Sequence, residues 1–436
     1  MLINSTEDAV ALKGETLLLL TKHFPFNNGN TPAESYLETE IGLIAHCFDF
    51  VVIVATEADT SSLQKQETPE NVRAFALGRV QTRVEKAACL ANGVFNLRSM
   101  PDAAKVIESD FTLNISQAMF RFYYIGKALR KWAALNELLV CERVKPTHVY
   151  SFWFHDTALV ACWLKRKYLC VRAVARAHGY DLYHDRSCCG LLPCRKYQLG
   201  SLDAVIPCSE DGSSYLKELY PAFSGKIKTG YLGTRWLPDM SGEARGRVFK
   251  VVSCSAVTDV KRVTMLAEAL GTLDLQGVEI EWTHFGDGPK LPAVKEMAER
   301  FGTVCCRFVG NVANATLLEE YGRGHYDLFV NVSESEGLPI SIMEASGHGI
   351  PVLATDVGGT HEIVSDGMSG KLIPEDCDAK GVAEAVLSFI RMSDGDYASM
   401  RAAAREQWVD RFQTKNNVAT LVDELLLTED SKGGVA

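Results

Sequence analysis

The run FVVIVA, residues 50–55, has no polar side chain to offer water on either face. Successive side chains of a strand point to opposite faces, so a strand of this kind must be covered on both sides. Comparable runs recur along the chain, as TLLLLTK, FVVIVAT, THVYSFW, RAVARA and DAVIPC in the first half and VFKVVSCS, VEIEWTHF, YDLFVNV and PVLAT in the second. Helical patterns separate them, and strands alternating with helices imply parallel sheets clothed by helices. At 436 residues the chain exceeds what a single core usually supports. The segment GTRWLPDMSGEARGR, residues 233–247, breaks the alternation with Gly, Pro, Asp and Ser. We therefore expect a Rossmann-like domain over residues 1–235, a linker over 236–247, a second Rossmann-like domain over 248–410, and a terminal helix over 411–436 that packs back toward the first domain.

Charge and cysteine usage narrow the function. A formal charge of −10 and an isoelectric point near 5.6 argue against a general nucleic-acid binder, which needs a dominant basic surface. Any anion site must be local. Thirteen scattered cysteines, an odd number, and an opening MLINSTEDAVALKGE without a signal-type apolar segment fit a reducing cytoplasm. The group SCCGLLPC, with Cys188, Cys189 and Cys194, is followed by no second Cys or His pair at zinc spacing, so we expect thiols and no metal. The apolar runs fall well below the roughly 18 residues a membrane span needs.

In open parallel sheets, ligands gather outside the carboxyl ends of the strands. After the first run comes HFPFNNGNTPAESYLETE. Thr31 is a candidate N-cap, Pro32 suits the first helical position, and Glu34 completes a capping box. The loop Asn28, Gly29 and Asn30 then leads into a helix start, which is either an anion site or merely a well-capped helix. His178 follows RAVARA beside a glycine, where it either donates hydrogen bonds to a ligand or serves the structure. Lys261 and Arg262 precede a helix whose dipole they oppose, a cost that an anionic ligand such as a diphosphate would reverse. Gly286 and Gly288 flank Asp287 in HFGDGPKL, which is either a close backbone approach or an ordinary turn.

The richest stretch is SESEGLPISIMEASGHGIPVLATDVGG, from Ser333. Glu336 lies in a loop with Gly337, Leu338 and Pro339, and Glu344 lies within the apolar run that follows. An unpaired carboxylate is expensive to bury there, and two neighbouring hydroxyls, such as those of a ribose, would satisfy it. Gly358, Gly359 and Thr360 open a further helix, a second place for phosphate oxygens.

Glu336 and Glu344, with seven residues between them, resemble the E-x7-E region of family 4 glycosyltransferases, bacterial enzymes of the GT-B fold. VSCSAVTDVKRV and HFGDGP extend the resemblance over most of the second half, and AESYLETEIGLIAHCFDFVVIV, RAHGYDLYHDR and KIKTGYLGT extend it more loosely over the first. It implies an α/β chain of GT-B architecture, two Rossmann-like domains facing each other across a cleft. It also implies a retaining transferase without metal or cofactor, with a nucleotide-sugar as co-substrate on the second domain and the acceptor on the first. By matching positions, Glu336 would contact the donor sugar, Glu344 the ribose, Lys261 the diphosphate, residues Gly358 to Thr360 the phosphates, and His178 the donor sugar from the opposite domain. Ala256 stands where many members carry arginine, and Arg262 stands where glycine is usual, so either Arg262 replaces the missing charge or diphosphate binding weakens.

Between Phe120 and Arg176, eleven Lys and Arg face three Asp and Glu, and RFYYIGKALRKWAAL mixes bases with aromatics. This is either an interfacial helix on anionic lipid at the inner face of the plasma membrane or a solvated basic face. The first option makes the acceptor a lipid-linked saccharide, in cell-surface polysaccharide synthesis. A nucleotide-sugar epimerase and a non-catalytic scaffold, the latter suggested by Ala256, are the rival readings.

Overall fold

The alternate residues of the first apolar run go to opposite faces of one sheet. Leu18 and Leu20, with Val52 and Val54, bury against Tyr124, Ile125, Leu135 and Leu139 of the helix Ile115–Cys141 and against Leu159 to Leu164 of the helix Asp156–Tyr168. Leu17 and Leu19, with Val51 and Ile53, bury on the other face against Leu37, Ile41 and Ile44 of the helix Ser35–Ala45. Val418, Leu421, Val422 and Leu425 of the helix Thr414–Leu426 complete that second layer. This two-sided burial is why the runs carry no polar alternation.

The computed structural model describes residues 12–26, 34–59, 67–80, 82–98, 100–109, 114–168, 172–187, 189–235 and 246–426. The chain divides into two units, Met1–Tyr231 with Lys415–Ala436, and Leu232–Thr414. Among the described residues the first holds a six-stranded parallel sheet of β1 (Leu12–Thr21), β2 (Phe48–Ala55), β3 (Val72–Ala76), β4 (His148–Ser151), β5 (Arg172–Ala177) and β6 (Ala204–Pro207), in the order β3-β2-β1-β4-β5-β6. The second holds β7 (Phe249–Cys254), β8 (Ile280–Phe285), β9 (Val304–Gly310), β10 (Leu328–Asn331), β11 (Val352–Thr355) and β12 (Gly370–Ile373), in the order β12-β11-β10-β7-β8-β9. Read from the β9 edge, the second order repeats the first. Each sheet reverses direction between its first and fourth strands, β1/β4 and β7/β10, and such a switch point is where an open sheet binds ligands.

The strands that the apolar runs do not announce are β3, β9 and β12, and all three lie at sheet edges. Their side chains are half exposed at most positions. The second unit is closed on itself where the chain enters and leaves it: Thr234 N donates to Phe412 O at 2.9 Å and Thr414 N to Thr234 O at 3.1 Å. Trp408 Nε1 donates to Thr234 Oγ1 at 2.6 Å.

One expectation is corrected here. The capping box at Glu34 does not form: the helix begins at Ser35, with Glu34 itself at the cap position, φ 22°. Asn28, Gly29, Asn30, Thr31 and Pro32 lie outside the described residues, as do Cys188 and most of the expected linker. Cys194 is buried and Cys189 half buried, neither of them in a disulfide.

The cations between Phe120 and Arg176 are mostly engaged inside the fold. Lys127 and Lys131 reach Glu57 Oε1 at 2.5 and 3.0 Å and Asp156 Oδ2 at 3.5 and 2.9 Å. Arg121 donates to the carbonyls of Val106 and Ile107, Lys165 pairs with Asp203, Arg166 with Asp102, and Arg172 with Glu424. Arg176 and Glu40 form a pair with both side chains 1% exposed. The basic excess is therefore largely taken up by acids, Asp156 within the segment and Glu40, Glu57, Asp102, Asp203 and Glu424 outside it. No helix among the described residues is long and apolar enough to cross a membrane.

Candidate functional site

At the switch point of the second sheet, the loops after β7 and β10 meet. Lys261 Nζ donates to Glu336 Oε1 at 2.6 Å, and Asn331 Nδ2 donates to the same oxygen at 3.1 Å. Asn331, the last residue of β10, also orders the loop: its Oδ1 accepts from Ser333 N at 3.0 Å and Ser333 Oγ at 2.6 Å. Glu334 N donates to Val260 O at 2.8 Å, tying the two loops together through the backbone. Glu336 is 8% exposed, so its charge is held by named partners rather than by bulk water.

Arg262 is not used as expected. Its guanidinium donates to the carbonyls of Val332 at 2.7 Å, Ser333 at 3.1 Å and Glu375 at 2.8 Å, so it braces the loop that carries Glu336 instead of presenting a charge. The same bonds hold its backbone in the left-handed region, φ 46°, one residue before the helix Val263–Asp274. Of the two cations, Lys261 is the one aimed at the acid.

Gly358 sits at φ 51°, and a Cβ there would stand 2.1 Å from Glu336 O. Gly359 N donates to Gly337 O at 2.8 Å, so this turn and the Glu336 to Pro339 loop are one surface. Thr360 is buried with its hydroxyl donating to Val357 O at 2.7 Å. Gly286, φ 130°, lies against Ser255, where a Cβ would be 1.9 Å from Ser255 O. Gly288 lies against Val257, where a Cβ would be 2.5 Å from Val257 O. These glycines close the loop after β8 onto the loop after β7.

Glu344, on the helix Ile340–Gly347, is separate from Glu336 in its environment. It is buried, Asn314 Nδ2 donates to its Oε1 at 2.6 Å, and burial pushes its carboxyl up to about 7 against that hydrogen bond. Asn314 and Asn331 are site residues that the sequence reading missed. Asn331 leaves a signal, a lone amide closing an otherwise apolar strand. Asn314, in a helix thirty positions from its partner, leaves none.

The first sheet places its own cluster at its own switch point. Glu34 accepts from the backbone N–H groups of Lys22, His23 and Phe24 at 2.8, 2.9 and 2.7 Å and from Trp153 Nε1, joining the loop after β1 to the loop after β4. Lys22 Nζ lies 5.0 Å from the Trp153 ring and 4.2 Å from the Tyr180 ring, and desolvation lowers its pKa. His178 follows β5, its ring tilted against Phe152 at 4.7 Å and Trp153 at 4.4 Å between centroids. Its backbone N–H donates to Asp181 Oδ1 at 2.6 Å, while neither ring nitrogen has a hydrogen-bond partner among the described residues. The result is an aromatic wall with one histidine and one lysine at the strand ends.

Residues 248–392 match the family described as glycosyl transferases group 1. That match covers the second unit's strands and every residue of the second unit's site named above. The chain is 27% identical over 226 residues to the putative colanic acid biosynthesis glycosyltransferase WcaL of Salmonella typhimurium, covering 48% of this chain and 53% of that one. It is 33% identical over 116 residues to the O-antigen biosynthesis glycosyltransferase WbnH of Escherichia coli, covering 27% and 31%. The chain thus spans about half the length of the WcaL relatives it matches. Among solved structures, Anabaena Alr3699/HepE in complex with UDP superposes with a TM-score of 0.65 at 17% identity over 94% of this chain and 99% of that one. Sucrose-phosphate synthase of Thermosynechococcus elongatus superposes at 0.67 and 15% identity, over 93% and 97%. The fold is GT-B, with two Rossmann-like domains.

Proposed function

We propose that the protein is a retaining glycosyltransferase of family 4 that moves a sugar from a nucleotide-sugar to a saccharide or lipid-linked saccharide in polysaccharide synthesis. The observation that carries this reading is the Lys261–Glu336 pair at 2.6 Å, at the switch point of a unit whose sequence matches group 1 glycosyl transferases. Relatives named for colanic acid, O-antigen and amylovoran biosynthesis support the polymer context. Solved neighbours in complex with UDP and with UDP-glucose support a nucleotide-sugar donor.

In this reading, donor binding exchanges the Lys261–Glu336 pair for a Lys261–diphosphate pair. Glu336 then accepts hydrogen bonds from the transferred sugar and stabilises positive charge as the anomeric carbon loses its leaving group. Backbone N–H groups of the Gly358–Gly359 turn meet phosphate oxygens, and Glu344 accepts from the ribose hydroxyls. The diphosphate departs with the electron pair of the broken C–O bond, the acceptor oxygen attacks from the same face, and a leaving-group oxygen takes the acceptor proton. No metal or cofactor enters this scheme. His178, whose Nδ1 lies 3.8 Å from Asp181 Oδ2, supplies a ring N–H to the donor sugar, and the first unit carries the acceptor, with Asn28 to Asn30 on that side.

Incubation with a panel of nucleotide-sugars tests this. A transferase releases nucleoside diphosphate in step with added acceptor, an epimerase returns an isomerised donor, and a scaffold does neither. Glu336→Ala is expected to lower turnover by about a hundredfold or more with an unchanged melting temperature. Turnover equal to the wild type would remove Glu336 from the active site.

A further inference from the structure

The helix Arg83–Phe95 is packed with its small residues inward and its larger apolar residues outward. Its buried residues are Cys89 and Gly93. They lie against the helix Ile115–Cys141 so closely that a Cβ on Gly93 would stand 1.9 Å from Phe122 O, and one on Gly126 1.7 Å from Cys89 O. On the open side, Val84 is 79% exposed and Phe95 83%, with Ala87, Ala88 and Ala91 exposed between them. That spacing of three and four residues draws one stripe along the helix, and an ordinary surface helix turns such a stripe to the core.

The two tight contacts also set an antiparallel register. Gly93 meets Phe122 and Cys89 meets Gly126, so the same progression brings Phe95 level with Phe120, one residue from Met119. Met119 is 53% exposed and Ile115 78%. Arg121 binds the carbonyls of Val106 and Ile107 at 2.8 and 2.7 Å, which puts the exposed Ile107 at the same end. Around this apolar surface Arg79, Arg83, Lys86 and Arg98 are exposed. The acid of that stretch, Glu85, is engaged by the Thr82 cap and lies 3.9 Å from Arg130. Over residues 79–98 four cations thus stand against one acid, in a chain of net −10.

From these observations we infer that this outer helical pair docks on a bilayer containing anionic phospholipid. Val84, Phe95, Ile115 and Met119 enter the boundary between headgroups and acyl chains, and Arg83, Lys86 and Arg98 meet the phosphates. A shallow apolar stripe flanked by cations fits a lipid surface, whose phosphates complement those charges. The contact lies apart from both switch-point clusters and does not rest on the transfer reaction.

Sedimentation with vesicles decides it. The full chain should co-sediment with mixed phosphatidylcholine and phosphatidylglycerol vesicles and only weakly with pure phosphatidylcholine. Phe95→Glu with Met119→Glu should lower vesicle affinity at least tenfold, and Arg83→Ala with Lys86→Ala should lower it by roughly fivefold per charge at low salt. Leu275→Glu, at a position 90% exposed in the second unit, should change nothing. Wild-type affinity in both double variants would overturn the proposal, as would a wild type that sediments with neither vesicle. Light scattering that shows a dimer dissociated by the Phe95 and Met119 changes, without vesicle binding, would assign the surface to a second copy of the chain instead.

Discussion

Burial raises the Glu344 carboxyl from 4.5 to about 7, so near neutrality its protonation is balanced. The unfolded chain releases this proton at its ordinary value, while the folded chain keeps it. Between those two values the native state binds the extra proton, and stability falls as pH rises, by about 3 kcal/mol in total, then levels off. Glu344→Gln is expected to flatten that slope, measured by denaturant unfolding at about pH 5 and about pH 8. Ribose hydroxyls donating to the carboxylate would favour its ionised form, so donor affinity should tighten as pH rises through neutrality and lose this dependence in the same variant. Lys261→Met should weaken nucleoside diphosphate binding by about tenfold to a hundredfold in calorimetry, the worth of a charge-assisted hydrogen bond. Lys261 and Glu336 were legible in the sequence because each follows a strand that the pattern reveals. The direction of Arg262 was not legible: it depends on carbonyls at Val332, Ser333 and Glu375, which only the fold brings within reach. Glu34 was singled out for its position, but its carboxylate serves the loop after β1 and not a helix cap.

The interior strands were readable because burial on both faces removes polar alternation from their sequences. The edge strands β3, β9 and β12 escaped because one side of each is open, and runs such as VCCRFVG carry mixed side chains as a result. The helices that cover the sheets meet them through a few decisive contacts. Arg176 on β5 donates to both oxygens of Glu40, at 2.8 and 3.0 Å, and to the carbonyls of Gly230 and Tyr231. Glu40→Ala leaves that guanidinium buried without its counter-ion and should cost about 3–5 kcal/mol in chemical denaturation. Gly358→Ala acts differently. Its new methyl group would press on Glu336 O and demand an unfavourable φ, displacing the loop that carries Glu336. Activity should fall more than stability, which paired kinetic and melting measurements would separate.

The repeated strand order means that one topological rule places a cluster in each unit, Lys261 with Glu336 in one and the Lys22, Trp153 and His178 wall in the other. The units are nonetheless unequal in how the chain builds them. The first is interrupted by all of Leu232–Thr414 and is finished by the helix that begins at Thr414. Removing residues from Lys415 onward strips Val418, Leu421, Val422 and Leu425 from a core, and each such loss costs about 2–5 kcal/mol. Together they rival the whole stability of a typical domain. Hydrogen exchange on the truncated chain should therefore show β1 and β2 unprotected while β7 and β10 stay protected. The same discontinuity governs events on the ribosome. The face formed by Leu17, Leu19, Val51 and Ile53 has the helix Ser35–Ala45 early, but the rest of its cover, the helix Thr414–Leu426, waits until the intervening unit has been translated, a delay on the order of ten to forty seconds at ordinary elongation rates. Throughout that interval the nascent chain presents a greasy, unfinished sheet, which makes it a client for chaperones even though its second half can fold as soon as it emerges.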